Sequence, residues 1–140
     1  MSDMNFSQYR AALVALGADL DKSAMNIISR MSDVGIAETK KNTPVGVYPV
    51  KSGKVGGNLR RGWIKGVTYK VGKDWQSGYY DNVAYGLYVN NGHRIVGKGG
   101  VTVGYVKGRR MLEQGIDMAK RQGEPIFENE ITKVKAKTGF

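Results

Sequence analysis

Apolar residues recur three and four positions apart from the start of the chain: Phe6, Tyr9, Leu13, Leu16, Leu20, Ala24, Ile27, Met31 and Val34. That spacing draws one stripe along a helix and predicts a helix over 3–41. At 1.5 Å per residue such a helix would span roughly 55 Å, too long for one small domain to cover entirely. Either it bends, at Gly17 or across Asp21–Ser23, or another subunit buries part of its stripe. Gly17 and Gly35 each cost a helix about 1 kcal/mol relative to alanine, which predicts a kink or a close packing contact at these positions. Pro44 ends the element, because the residue before a proline is pushed out of the α region.

The pattern then changes. Residues 43–57, TPVGVYPVKSGKVGG, have no period and carry two prolines, which reads as a long loop or mobile arm. NLRRGW at 58–63 leads into a strand on which Trp63, Val67, Tyr69 and Val71 share a face; Gly72, Lys73 and Asp74 form a turn and 75–81 returns as the second arm of a hairpin. Asn82 caps a short helical stretch with Tyr85, Tyr88 and Val89 on one side and Gly92 at its end. Residues 93–96 and 101–106 are two further strands around a Gly97-Lys98-Gly99-Gly100 tip. A helix follows over 109–121, with Met111, Leu112, Gly115, Ile116 and Ala119 on one side. Glu124-Pro125 then starts a separate short helix carrying Phe127, Ile131 and Val134, proline being tolerated at a first helical position. The last residues, 135–140, fray. The expected fold is α+β in a single domain, 1–140: a long N-terminal helix and a C-terminal helix packed on a small antiparallel sheet, with a long basic Gly/Pro-rich loop.

Composition narrows the function classes. No apolar run approaches the ~18 residues of a membrane span, and the first residues lack the basic and apolar regions of a secretory signal. There is no cysteine, which excludes disulfides and thiolate metal sites. With one histidine, His93, and acids mostly on the two helical flanks, no nucleophile, base and orienting acid come together, and no metal-ligand spacing exists. The expectation is no catalysis and no cofactor. His93 reads as a structural hydrogen-bonder. The run GKGGVTVG lacks the GK[ST] ending of a phosphate loop and precedes a strand rather than a helix.

Charge placement says more than the net charge of +10. Residues 40–110 hold 14 Lys or Arg against Asp74 and Asp81 only, whereas the two flanks carry 8 cations and 10 acids. Within that block, Ala84–Leu112 combines seven glycines and five cations with no acid. Such a segment points to a polyanion or to an acidic protein neighbour, or simply to a solvated basic face. Lys98, Lys107, Arg109 and Arg110 are the cations placed to meet phosphates. Arg109 and Arg110 stand at a helix N-terminus, against the macrodipole, so another interaction should retain them. Tyr79, Tyr80, Tyr85 and Tyr88 read as core or subunit-interface residues rather than base-stacking platforms.

Four pieces in order, TPV at Thr43–Val45, the LRRGW block ending at Trp63, AYGLYVNNGHR at Ala84–Arg94 and GRRMLEQGIDMAK at Gly108–Lys120, resemble the small tail-component family of tailed bacteriophages, the neck or tail-completion proteins. The likeness covers about residues 36–120. This chain departs from it in the longer VGVYPVKSGKVGG segment and in Asn90-Asn91 before Gly92-His93. The resemblance implies a non-enzymatic virion protein of the neck, made in the host cytoplasm. It implies a homo-oligomeric ring, most often hexameric, whose partners are the head-closure or connector protein, a tail terminator or tail tube protein, and genome DNA passing through the lumen without sequence readout. On that reading Lys51, Lys54, Arg60, Arg61, Lys98, Lys107, Arg109 and Arg110 face the DNA channel or an adjoining ring, and Phe6, Tyr9, Leu13, Leu16, Tyr85 and Tyr88 make subunit contacts. The alternatives are a tail terminator capping the tube, or a non-specific nucleic-acid-binding module.

Overall fold

In the computed structural model, which describes residues 5–138, the first helix begins with a reciprocal cap. The Asn5 side chain accepts the Gln8 N–H at 2.9 Å and the Gln8 side chain accepts the Asn5 N–H at 3.1 Å, satisfying two donors that a helix start leaves free. Helix α1 then runs unbroken over Phe6–Asn42, 37 residues, through both Gly17 and Asp21–Ser23. The expected positions 3 and 4 lie outside the described residues. Its far end is tied by the Thr43 hydroxyl, which donates to the Thr39 carbonyl at 2.6 Å.

Helix α4, Met111–Thr138, is one element of 28 residues. This corrects the expectation of two helices parted at Gly123-Glu124-Pro125. Proline removes one backbone donor and crowds the preceding turn. Here Pro125 faces solvent, while Met111, Gly115, Ile126, Glu130 and Val134 keep a buried stripe in phase on both sides of it. Packing against α1 therefore outweighs the local break. The two helices are antiparallel: Gly115 meets Thr39 and Gly35, Gly123 meets Met31, Glu130 pairs with Arg30 at 3.2 Å, and Lys137 pairs with Asp19 at 3.0 Å. A side chain at Gly115 would collide with Thr39 Oγ1 and the Gly35 carbonyl, so these backbones approach more closely than larger residues would allow. Gly35 has the close contact expected of it, under the Tyr79 ring; Gly17 has nothing within 4 Å.

Between the helices the chain forms three two-stranded antiparallel ribbons rather than one sheet. Residues 58–62 form a helical turn, α2 (Asn58–Gly62), which leads directly into a strand at Trp63. The expected long hairpin is divided. Its base pairs β1 (Trp63–Lys65) with β4 (Tyr79–Asp81), its tip pairs β2 (Tyr69–Val71) with β3 (Asp74–Gln76), and Gly66 and Gly78 join them through one 2.8 Å backbone bond. Of the residues expected to share the Trp63 face, Val67 is exposed in the break and Tyr69 and Val71 are exposed on the tip, so only Trp63 is buried. The hairpin lies along α1, Lys65 bonding Asp33 at 2.7 Å and Lys70 bonding Asp21 at 2.8 Å. The bond from Lys70, with a second from Trp75, holds the Asp21 carboxyl below its ordinary pKa.

The apolar core, Leu59, Trp63 and Met111, is small and lies where α2, β1 and the start of α4 converge on the C-terminal end of α1. A buried polar chain runs through it. Trp63 Nε1 donates to Thr43 Oγ1 at 2.9 Å, Thr43 donates onward to Thr39 O, and the Thr39 hydroxyl donates to that of Tyr79 at 2.9 Å. Both threonines have no exposed surface, so their hydroxyls need these partners. Burial raises the Tyr79 phenol pKa, the Thr39 bond opposing and nearby Glu113 adding to the shift. No helix is long and apolar enough among the described residues to cross a membrane.

Candidate interaction surface

The second basic segment is a self-contained corner. Helix α3 (Gly86–Asn91) passes directly into β5 (Gly92–Val96), which pairs with β6 (Thr102–Lys107) across a tip at 98–100. Gly92 adopts φ 83°, and a side chain there would run into the Val106 carbonyl and the Gly108 N–H. From β6 the chain reaches α4 through Arg109 and Arg110, whose N–H groups donate to Val89 O at 2.9 Å and Asn90 O at 3.0 Å. Arg110 takes φ 52°, unusual for a residue with a side chain.

Asn90 is the hub of this corner. It is 6% exposed; its Oδ1 accepts the Leu112 N–H at 3.0 Å and its Nδ2 reaches both Glu113 oxygens at 3.1 Å. A residue 22 positions upstream of Leu112 thus caps α4. Sequence reasoning missed this, because a cap is sought among the residues just before a helix. Arg109 and Arg110 precede α4 rather than belong to it, and Arg110 lies 3.6 Å from Glu113, within its own corner.

The remaining cations fall into two groups with different neighbours. Arg60 donates to the Thr43 carbonyl at 2.7 and 3.2 Å, and Arg61 to Gly56 O at 3.1 Å and Asn58 Oδ1 at 2.7 Å, so both bind the base of the arm. The arm folds back on itself: Lys54 stands over the Tyr48 ring at 5.7 Å, Gly56 abuts the Gly46 carbonyl, and Lys51 sits exposed on a single 3-10 turn at Val50–Ser52. Lys98 and Lys107 lie exposed on the ribbon, at its tip and base. Helix α3 stands between the groups, Tyr85 and Val89 lining a cleft with the arm on one side and a second cleft with His93, Arg94 and Val96 on the other.

Apolar exposure concentrates in the same places and at the free end of α1. Phe6 is 85% exposed, Tyr9 43% and Leu13 45%, with Leu16 half-buried. Tyr85 and Tyr88, 49% and 58% exposed, are not core residues; α3 is too short to turn both its faces inward. Tyr80 is likewise exposed, while Tyr79 packs edge-on against Trp63 with ring centres 5.8 Å apart. His93 is exposed at the start of β5, with Nδ1 3.1 Å from the Arg94 carbonyl and its ring edge-on to Tyr88.

One acid is out of keeping with its surroundings. Asp81 Oδ1 accepts the Val83 N–H at 2.8 Å, but its Oδ2 is buried without a partner. Burial accordingly raises its pKa above the usual carboxylate value. No group of three or more His, Asp or Glu side chains able to hold a metal occurs among the described residues. Compared with known proteins, this chain matches no family model, no curated protein and no solved structure.

Proposed function

We propose that this chain is a non-enzymatic structural subunit of a phage neck, assembling as a homo-oligomeric ring that completes the tail and joins it to the head connector around the DNA channel. The observation that carries the reading is uncovered surface. The chain exposes 9984 Å², whereas a compact monomer of 15.3 kDa exposes about 7,100 Å². The surplus, roughly 2,800 Å² per chain, falls in the range of a permanent subunit interface. Exposed large apolar residues gather on the free half of α1 and on α3 and the β5–β6 ribbon, at opposite ends of the helical pair, as well as on the arm. Contacts between unlike patches are heterologous, and a heterologous contact that closes makes a ring. The order of motifs at Thr43–Val45, 57–63, Ala84–Arg94 and Gly108–Lys120 supports assigning such a ring to a neck. A tail terminator is the adjacent role for such a ring.

The test is the mass of the protein in solution by light scattering, together with imaging of assembled particles. A ring in either place supports the reading; a monomer in solution that is also missing from particles overturns it. The acid-free basic segment keeps one other reading, a stand-alone nucleic-acid binder. That reading requires tight, steeply salt-dependent retention of free duplex at physiological salt, and weak retention there removes it. An enzymatic reading would need an activity abolished by His93→Ala.

A further inference from the structure

On the ring reading, we infer that the contact between neighbouring copies is made by the β5–β6 ribbon of one chain lying along the outward face of α4 in the next. The register pairs Arg94 with Tyr105 and Gly92 with Lys107, so Arg94, Tyr105 and Lys107 share one face of the ribbon. That face is both cationic and apolar. Tyr105 is 78% exposed, and neither Arg94 nor Lys107 has an acidic partner among the described residues.

The complementary face lies on α4. Asp117, Glu124 and Glu128 recur seven and four positions apart, which puts them on one line down the helix, opposite the stripe buried against α1. All three are exposed and none is in an ion pair among the described residues, unlike Glu113 and Glu130. Arg121, four residues after Asp117 and three before Glu124, lies on the same line, which stays net acidic. Phe127, 51% exposed, provides an apolar contact on the flank.

Lengths agree as well. Asp117 to Glu128 covers about 16 Å of helix, and a strand of five or six residues covers about 17–20 Å. Because the ribbon and the α4 face are different patches of the same chain, each copy offers one of each. The pairing therefore repeats head to tail, and it would cover the ribbon's share of the exposed surface described above. The ribbon's cations then serve a protein neighbour, leaving those of the arm to face other components.

Two charge reversals and one cross-link test this. Arg94→Glu with Lys107→Glu reverses the ribbon; Asp117→Lys with Glu124→Lys and Glu128→Lys reverses the helix face. Each set alone should raise the concentration needed for assembly at least about tenfold, with helical content unchanged by circular dichroism. Mixing the two variant proteins, or combining both sets in one chain, should restore assembly. Since the native chain has no cysteine, Tyr105→Cys with Phe127→Cys should give a disulfide ladder extending beyond dimer on a non-reducing gel. Assembly that survives both reversals, with no ladder, overturns the ribbon contact and leaves the ring standing. A ladder that stops at dimer overturns the head-to-tail arrangement. If the ribbon reversal abolishes duplex retention but not assembly, the ribbon is a nucleic-acid surface and the inference fails. A native chain that stays monomeric to about 1 mM, with no ladder from the double-cysteine variant, overturns both the contact and self-driven ring formation.

Discussion

The two halves of α1 belong to one amphipathic helix and have opposite fates. From Phe6 to Leu20 the apolar residues are large and mostly exposed. From Ser23 to Thr39 the buried positions are Ser23, Ser32, Gly35 and Thr39, none of them large and apolar. Hydrophobicity alone would have inverted the assignment. What buries a residue is whether a partner element reaches it. Small residues at 32, 35 and 39 let α4 and Tyr79 come close to the helix axis, while the bulky stripe at the other end extends past that closest packing. The well-packed half holds the fold, and the other half carries exposed apolar surface.

Filling the closest contact should break this division most severely. Gly115→Leu places a side chain where Thr39 and the Gly35 carbonyl already lie, and a loss of about 3 kcal/mol or more is expected, read as a Tm lowered by about 10 °C. Wild-type melting behaviour would mean that the helices do not meet there. Next comes the capping hub: Asn90→Ala should cost about 1–2 kcal/mol in chemical denaturation, since it strips the first turn of α4 of its acceptor. An unchanged midpoint would transfer that role to solvent.

A smaller, pH-dependent effect is expected at Asp81, whose folded pKa is raised by burial. A raised carboxylate pKa favours the fold most below the unfolded value of about 3.9, and that contribution is lost as pH rises through the folded value. Asp81→Asn should therefore gain stability relative to wild type between pH 4 and pH 7, measured as a growing difference in Tm. A difference that shrinks over that interval would contradict the burial assignment. Least affected in stability is the free half of α1. Phe6→Ser with Leu13→Ser should move the unfolding free energy by no more than about 0.5 kcal/mol, yet change the mass seen by light scattering if this stripe joins the subunit contact. A large loss of stability without a change in mass would place the stripe in the fold instead.

Charge gives a second view of the same contrast. The excess of cations over 40–110 read as a polyanion-facing block. Part of it is answered inside the chain, because Lys65 and Lys70 pair with Asp33 and Asp21 on α1. Arg60 and Arg61 are occupied by backbone carbonyls of the arm and its anchor. Arg110 lies beside Glu113, and the cations beyond these, on the ribbon and the arm and at Lys40, Lys41, Lys73 and Arg109, have no acidic partner among the described residues. Sequence counts charges; it does not tell which acid a lysine folds against.

The long N-terminal helix, the basic loop after Pro44, the turn at Gly72 and the paired strands around 97–100 were legible in the chain, because each rests on local physics: a three-to-four spacing, a proline, a glycine at positive φ. The class, α+β with helices flanking small antiparallel ribbons, followed from those signals. Three matters were decided only in three dimensions. Pro125 lies within a helix because the buried stripe of α4 stays in phase against α1 on both sides of it. Asn90 caps a helix that begins 21 residues later because the α3–β5–β6 corner folds it back there. And the large apolar residues at the start of α1, from Phe6 to Leu20, stand mostly uncovered because burial depends on the reach of a distant element, a long-range property that no local spacing encodes.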